Sequence, residues 1–409
     1  MGSATLSSKK KYFLFSLVFL GWIVDTLMLS GMNVVIIPIS NEFGLKESQQ
    51  GLIVSSFFVS SAIMTLIGGW LSDKFGSRKI LITCMLLISA FTLVNGMVGS
   101  LAALIAIRFL LGFADGFLPT ASAVSITELF NKSERARAKS YLLGAQMIGV
   151  ILASSMAATL SVSLGWRSVF YIVGGIGVLV TVLLITYYRP PGKGAIPMKQ
   201  LQKSKVPLKR LVKHPLLWTL VLIYFGISIV NWGSMTWMPT YLSKVRHVDL
   251  LSLGFLSMIP SFGGLIASIF IGWLLDKKWG GQEKIVIITC SIISGVCLYL
   301  LSHASSVGMV IFYQTIVSVA IMSAMMSILT LPLKVVAPEM VGSFMGVMYF
   351  LGAVAGAISP MIIGFLVTRF NGSYDAAFWF LILILIIPIL GALMLRNKNH
   401  VVAEQQVAV

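Results

Sequence analysis

The segment Gly69-Trp70-Leu71-Ser72-Asp73-Lys74 recurs as Gly272-Trp273-Leu274-Leu275-Asp276-Lys277, 203 residues further along the chain. Each copy follows one long apolar run and precedes another. A charged segment that repeats between apolar runs at one offset indicates an internal duplication. The sequence therefore predicts two halves, each built from the same order of elements.

The composition excludes a soluble protein. Of the 409 residues, 57% are hydrophobic and 11% are charged, whereas soluble domains have about 45–50% apolar and about 25% charged residues. The net charge of +17 would suit nucleic acid binding. The basic residues instead form short clusters between apolar runs, so we expect no nucleic acid partner. All three cysteines lie in apolar stretches, which argues against a disulfide framework. The sequence predicts a polytopic membrane protein.

A helix needs about 20 mostly apolar residues to cross the hydrocarbon core of a bilayer. Twelve segments meet this requirement, and the apolar runs of the two halves begin near residues 12 and 216. The predicted spans are 12–37, 51–71, 80–98, 101–124, 140–163, 168–187, 216–242, 252–275, 285–301, 307–331, 342–366 and 375–395.

Lys and Arg accumulate in the cytoplasmic loops of membrane proteins. With the N-terminus inside, the cytoplasmic segments carry 24 basic residues and the opposite segments carry 5. This asymmetry predicts that both termini are cytoplasmic.

The spans and loops predict four regions. Residues 1–187 form an N-terminal six-helix bundle, and residues 216–395 form a C-terminal six-helix bundle. Residues 188–215 form a cytoplasmic linker with eight basic residues and no acidic residue. We interpret this linker as a solvated segment on an anionic membrane surface, with a regulatory or partner site as the alternative. Residues 396–409 form a cytoplasmic tail.

The loop after the second span resembles the signature loop of the major facilitator superfamily. The match is carried by Gly69, Leu71, Asp73, Lys74, Gly76, Arg78 and Lys79, with a degenerate copy at 272–284. The resemblance covers essentially the whole chain. It implies an all-α membrane protein of twelve transmembrane helices, in two six-helix bundles around a central cavity that opens alternately to each side.

The same loop has the residues that a conformational gate requires. Gly69 permits two helices to approach closely, and Gly76 permits a tight turn. Asp73 lies at a helix end among basic residues that include Arg78 and Lys79. Such a cluster can bond across to the other bundle in one state and separate in the other. We therefore interpret these residues and Asp276 as a gate, although the charges alone would also serve as topology signals.

Three charged residues, Asp25, Arg108 and Asp115, lie well inside predicted spans. A charge within a transmembrane helix costs about 2.5–3.5 kcal/mol on insertion scales, so such residues usually face a cavity or one another. At 1.5 Å per residue, Arg108 and Asp115 lie about 24 Å and 14 Å from the cytoplasmic end, and Asp25 about 20 Å. All three are expected near mid-membrane. Arg108 and Asp115 share a helical face.

The formal charge of these three residues is −1, and one proton on either aspartate makes the set neutral. A group that changes protonation beside a fixed cation is what proton-coupled uptake of an anion requires. The guanidinium of Arg108 offers a planar fork for a carboxylate. We therefore predict that Arg108 binds an anionic substrate and that Asp115, with Asp25 as second choice, carries the proton. A permanent ion pair that only fixes helix packing is the alternative.

The stretch Arg108-Phe109-Leu110-Leu111-Gly112-Phe113-Ala114-Asp115 is similar to the organic-anion:cation symporter branch of the superfamily. In that branch an arginine and an acidic residue seven positions later take part in anion binding and proton coupling, which implies these roles for Arg108 and Asp115. Two features depart from the branch. The acidic position is usually glutamate, and Asp25 lies a turn before the usual place of an Asp-Arg pair. An aspartate at that earlier place is more like the aromatic-acid and lactate/sialate symporters.

The C-terminal half carries polar and aromatic side chains within its predicted spans and no central charge. Tyr224, Asn231 and Trp232 lie on the seventh span, and Gln314 lies seven residues into the tenth, as Arg108 does in the fourth. We predict that they line a polar-aromatic wall for the substrate. Anchoring at the membrane interface or helix–helix contact is the alternative for each residue alone.

These features favour a secondary active transporter that carries a small organic anion with protons. The alternative is a multidrug or metabolite:proton antiporter of the same fold, although the fifth span lacks the Gly-Pro motif usual in such exporters. A phosphate-exchanging antiporter would need more buried basic residues, and a sensor or a membrane enzyme is disfavoured by the gate loop and by the lack of a catalytic cluster. We expect no enzyme activity, no metal and no cofactor, and the sequence has no Walker loop for ATP. The expected protein is a monomer in a cell membrane, namely a bacterial plasma membrane.

The gate hypothesis predicts the behaviour of Asp73→Asn. The substitution removes the charge that bonds to neighbouring cations in one state only, so it biases the conformational equilibrium and slows transport. Substrate affinity, measured by equilibrium binding, should stay within a few-fold of wild type. A variant that binds no substrate and yet cycles normally would contradict the assignment.

Overall fold

The computed structural model describes residues 8–131, 134–190, 214–277, 281–336 and 338–395. Throughout these residues the chain is α-helical or forms short connections between helices, which confirms the predicted all-α class. The described chain divides into two compact units. The first contains the described residues up to 190 together with 242–258, and the second contains 214–241 and the described residues from 259 onward. The predicted tail and most of the predicted linker lie outside the described residues.

The described residues of the first half of the chain form seven helices. They are α1 (Ser8–Phe43), α2 (Glu47–Phe75), α3 (Ser77–Asn95), α4 (Leu101–Asp115), α5 (Leu118–Leu129), α6 (Arg135–Leu164) and α7 (Trp166–Tyr187). Helix α1 packs mainly against α6, α2 against α4, and α3 against α7.

The described residues of the second half form eight helices. They are α8 (Pro215–Lys244), α9 (Leu250–Leu256), α10 (Met258–Lys277), α11 (Glu283–Ser302), α12 (Val307–Val335), α13 (Pro338–Arg369), α14 (Asp375–Ile384) and α15 (Ile386–Met394). Residues 242–244 at the end of α8, and the whole of α9, belong to the first unit, in which α9 packs against α6.

Eleven helical stretches of the described chain are long and apolar enough to cross a membrane. The remaining predicted span, 51–71, lies within α2, whose 29 residues measure about 44 Å at 1.5 Å per residue. Three predicted spans are interrupted helices: α4 with α5, α9 with α10, and α14 with α15. The interruption between α4 and α5 directly follows Asp115.

Helix α2 lies in unusually close contact with α4. A Cβ atom added at Gly112 would lie 2.0 Å from the Phe57 carbonyl oxygen, and one at Gly116 would lie 2.7 Å from that of Ser61. The Ser60 hydroxyl donates a hydrogen bond of 2.6 Å to the Phe109 carbonyl across the same interface. Small residues four apart allow two membrane helices to bring their backbones together, and here they hold α4 directly against α2.

The ends of the helices in the first unit are joined by ion pairs. Lys11 near the start of α1 bonds to Glu134 before α6 at 2.7 Å. This hydrogen bond from the ammonium lowers the pKa of the Glu134 carboxyl below its usual value. At the other end of α1, Glu42 accepts bonds from Arg167 at 2.7 Å and from the Trp166 indole at 2.6 Å. The first end of α1 is thus fixed to the start of α6, and its other end is fixed to the start of α7.

The α2–α4 contact predicts opposite effects of two Gly→Ala substitutions. Gly112→Ala places a methyl group against the backbone of α2 and should destabilise the protein by about 1–3 kcal/mol through overpacking. Gly144→Ala in α6, where an added Cβ meets nothing within 4 Å, should be neutral or stabilising by up to about 1 kcal/mol. Thermal unfolding of the detergent-solubilised variants measures the difference. Equal melting temperatures would contradict the packing.

Candidate functional site

The carboxyl group of Asp25 on α1 lies within hydrogen-bonding reach of the carboxyl group of Asp115 at the end of α4. The Ser61 hydroxyl on α2 donates a hydrogen bond to Asp115 Oδ2 at 2.5 Å. Asp25 is 3% exposed, and its Oδ1 atom has no hydrogen-bond partner, while Asp115 is half-buried. Two carboxyl groups can share a hydrogen bond only when one of them carries a proton, so this pair is a one-proton site.

The local fold explains why these groups meet. The Gly112 and Gly116 contacts bring α4 against α2, and Ser61 therefore reaches the last residue of α4. Helix α3 contributes Cys84, whose thiol donates to the Ala114 carbonyl at 3.2 Å and lies close enough to both aspartates for electrostatic interaction. The carboxyl pair is therefore enclosed by α1, α2, α3 and α4.

Arg108 lies in the same unit but forms a separate part of the site. Its residue exposure is 1%, and Nη1 lies 3.9 Å from the Met28 sulfur on α1. Its Nε and Nη2 atoms have no hydrogen-bond partner. Among the described residues, Arg108 forms no ion pair with Asp25 or Asp115. The guanidinium is therefore a buried cation with two unpaired donor nitrogens.

The expected closeness of Arg108 and Asp115 is therefore not found, and the permanent ion pair considered as an alternative is absent from these described residues. Seven residues along a helix correspond to a rise of about 10.5 Å, which is too far for direct contact although the two residues share a face. The neighbour of Asp115 is instead Asp25 from another helix. The structure thus separates the Arg108 guanidinium from the Asp25–Asp115 carboxyl pair.

In the second unit, Tyr224 on α8 packs edge-to-face against Tyr349 on α13 with ring centroids 6.2 Å apart. A Cβ added at Gly352 would lie 2.6 Å from the Tyr224 ring. Tyr224 is thereby fixed between α8 and α13, as a residue that positions an aromatic wall must be.

The other predicted residues of this wall are Gln314, Asn231 and Trp232. Gln314 on α12 is 6% exposed, and its side-chain oxygen has no hydrogen-bond partner. Asn231 and Trp232 on α8 are half-buried. Within the described residues no hydrogen bond or ring contact joins Gln314 to Tyr224 or to Asn231. The substrate-binding roles of these four residues stay predictions.

The gate loop is described in part. The side chains of Gly69, Asp73 and Asp276 lie outside the described residues. Gly76 joins α2 to α3 with a φ of +81°, where glycine is relaxed and other residues are strained. Arg78 is exposed and donates to the Ile185 carbonyl at 3.0 Å, and Lys79 is exposed. Their part in gating stays a prediction.

A polar cluster beside this loop was not anticipated from the sequence. Ser77, the first residue of α3, donates to the Glu128 carboxylate near the end of α5 and lies 3.1 Å from the Tyr188 hydroxyl. Tyr188 donates in turn to Ser125 at 2.6 Å. An acidic residue near the end of an apolar span is the signal that could have identified Glu128. The cluster fixes the start of α3 to α5 and to the end of α7.

Sequence reasoning also missed the residues that complete the site, namely Ser61, Cys84 and Met28. Ser61 is one of four serines between residues 55 and 61, and their spacing alone does not identify the one that faces Asp115. Cys84 is one of three cysteines in apolar stretches, and it is buried. Only the packing of α2 and α3 on α4 distinguishes these positions.

Three relatives of the chain are named as transporters, or probable transporters, of organic anions. It is 28% identical over 364 residues to a probable sulfoacetate transporter of Cupriavidus necator, with 83% of each chain covered. It is 28% identical to a probable galactarate/D-glucarate transporter of Bacillus subtilis, with 99% of this chain and 96% of the relative covered. A hexuronate transporter of the same species is 26% identical, with 91% of each covered.

The fold also matches solved structures. A bacterial homologue of the human lysosomal transporter Spinster, in an inward-facing and unoccupied conformation, superimposes with a TM-score of 0.79 and 18% identity. The match covers 95% of this chain and 96% of that one. The predicted transporter fold is confirmed by this likeness, and the resemblance to organic-anion transporters is confirmed by the names of the relatives. Residues 17–360 match the model of the Major Facilitator Superfamily, and the chain belongs to this family of membrane transporters.

Proposed function

We propose that this protein is a secondary active transporter that carries a small organic anion, such as a sugar acid or another carboxylate, together with protons. The observation that carries the proposal is the guanidinium of Arg108, which is 1% exposed and has two nitrogens without a partner. Burial of a cation costs free energy because its hydration is lost, and without a partner no other interaction offsets this cost. An anionic ligand restores the lost interactions.

The chemistry of arginine defines the ligand. A guanidinium binds a carboxylate or another planar anion through two parallel N–H···O bonds, and Nε with Nη2 forms one such fork. The relatives are named for sulfoacetate, galactarate, glucarate and hexuronates, all of which carry an acidic group. A carboxylate or sulfonate on a small polar molecule is therefore the ligand that we expect at Arg108.

The Asp25–Asp115 pair supplies the coupled proton. Its shared hydrogen bond needs one proton, and loss of that proton places two negative charges in contact within the membrane. An anionic substrate nearby makes a second negative charge on the pair more costly, so substrate and proton should bind cooperatively. This linkage would drive uptake of the anion by a proton gradient.

Transport requires that the site open to each side in turn. We propose alternating access, with the loop around Gly69, Asp73, Gly76, Arg78 and Lys79 and its partial copy at Asp276 as the gate. The 24 to 5 distribution of basic residues supports cytoplasmic termini. The named bacterial relatives support a bacterial plasma membrane, and we propose that the protein works as a monomer.

Ligand-induced thermal stabilisation of the purified protein tests the substrate class. The panel contains sulfoacetate, galactarate, glucuronate, neutral sugars of matching size and a lipophilic cation. A ligand that binds only the folded state raises the melting temperature, and a concentration of 100 Kd adds about 2.7 kcal/mol. Stabilisation by the acids alone supports the proposal. Stabilisation by the lipophilic cation alone would instead indicate a multidrug antiporter.

Variants of Arg108 test its role in binding the anion. Arg108→Lys keeps a positive charge but loses the planar fork, so affinity for the stabilising acid should fall by at least tenfold without vanishing. Arg108→Ala should abolish detectable binding. Arg369→Ala, which removes an exposed arginine at the end of α13, is the control. Unchanged affinity in Arg108→Ala, measured by isothermal titration, would exclude Arg108 as the residue that binds the anion.

The double variant Asp25→Asn/Asp115→Asn tests the carboxyl pair as the proton site. Both amides imitate neutral carboxyl groups, so the protein should still bind the acid and exchange it across a vesicle membrane. Accumulation driven by a pH gradient and the tightening of affinity at lower pH should both be lost. A double variant that still concentrates substrate against its gradient would show that the proton is carried elsewhere.

A further inference from the structure

We infer that Ser61 is a positioning residue that keeps the negative charge on Asp115 and leaves the exchangeable proton on Asp25. The inference rests on the proposed function, since it specifies which carboxyl group of the pair is loaded and unloaded. It differs from the expectation drawn from the sequence, in which Asp115 itself carries the proton.

The direction of the hydrogen bonds carries the argument. A hydroxyl group that bonds to a carboxylate oxygen donates its proton, and Ser61 does so to Asp115 Oδ2 at 2.5 Å. A donated hydrogen bond stabilises the charged form of a carboxyl group over its neutral form. Within the shared bond, Asp115 is therefore the acceptor, and Asp25 is the member that donates a proton.

The surroundings of Asp25 agree with this assignment. Apart from Asp115, no described group donates a hydrogen bond to its side chain, and Oδ1 has no partner. An unpaired carbonyl oxygen of a neutral acid costs much less than an unpaired oxygen of a buried carboxylate. Asp25 is also the more buried of the two residues.

The neighbouring helices offer few competing charges. Cys84 from α3 is the titratable group that interacts with both aspartates, and Arg108 from α4 is the cation of the unit interior. Helices α6 and α7 contact α1 beside Asp25 through Gly149 and Gly177. Residues 142–164 and 172–186 of these helices contain no titratable side chain. With Asp25 neutral, the negative charge of Asp115 and the positive charge of Arg108 give these three residues a net charge of zero.

Infrared difference spectroscopy of the full-length protein, titrated with acid and base without substrate, tests the inference. The stretching band of a protonated carboxyl group should be present in wild type and in Asp115→Asn, and absent at neutral pH in Asp25→Asn. In Ser61→Ala the Asp115 carboxylate loses a charge-assisted hydrogen bond. By this assignment Asp115 is charged both before and after Asp25 releases its proton, so the step that moves is the uptake of a proton by Asp115 at acid pH. Its midpoint should rise by about one to two pH units.

A matched control separates positioning from packing. Ser60→Ala removes a hydroxyl that also bonds from α2 to α4, but to the Phe109 carbonyl and not to a carboxylate. Its titration midpoint should stay at the wild-type value. Ser61→Thr keeps the hydroxyl group and should therefore also titrate at the wild-type midpoint. Equal shifts in Ser60→Ala and Ser61→Ala, or none in Ser61→Ala, overturn the role of Ser61.

The assignment of the proton has its own decisive outcome. A band that disappears in Asp115→Asn and persists in Asp25→Asn places the proton on Asp115 and overturns the inference. This experiment uses no substrate, so its failure is distinct from that of the proposed function. If the double variant of the two aspartates still accumulates substrate while the band behaves as expected, the proposed function fails and the placement of the proton stands.

Discussion

The close approach of α2 and α4 is the constraint on which the site depends. At Gly112 the two backbones are so near that a single methyl group has no room. This contact aligns two serines with α4, so that Ser60 bonds to a backbone carbonyl and Ser61 to the carboxylate of Asp115. The helix ends directly after Asp115. Packing of small side chains thus determines the geometry of a charged centre.

The energetics of burial then divide the charges into two kinds. Asp25 and Asp115 relieve each other, because one shared proton removes half of their charge and supplies their hydrogen bond. Arg108 obtains no such relief from its neighbours, since a methionine sulfur is a weak acceptor for a guanidinium. A stable protein rarely keeps a buried cation in this condition unless a ligand completes it. The unpaired nitrogens of Arg108 are therefore the feature that most directly indicates a binding site for an anion.

Much of the fold could be predicted from the sequence. The length of the apolar runs was sufficient to predict the helical class, and the resemblance of the loop after the second span to a signature loop indicated the family. The interruption of the fourth span at Asp115 was not anticipated, because hydropathy does not register a break within an apolar run.

The candidate site was harder to predict. Asp25, Arg108 and Asp115 could be identified from the sequence because charged residues are rare inside apolar runs. Their contacts depend on the rotation and depth of α1 relative to α4, and packing alone determines both. A shared helical face suggested that Arg108 lies beside Asp115, but the rise along the helix separates them. Ser61 and Cys84 are common residues in membrane helices, and only the folded chain shows that they reach the carboxyl pair.

The balance of charge in the first unit has an electrical consequence. Moving one elementary charge through a membrane potential of 100 mV changes the free energy by about 2.3 kcal/mol. If Asp25 is neutral, as proposed, the charges of Arg108 and Asp115 cancel, and the voltage would exert little force on the site before substrate binds. A monovalent acid bound there would make the site negative by one charge, and a dicarboxylate would make it negative by two. The membrane voltage would thus distinguish acids by their valence, even where the guanidinium binds their carboxylates equally well.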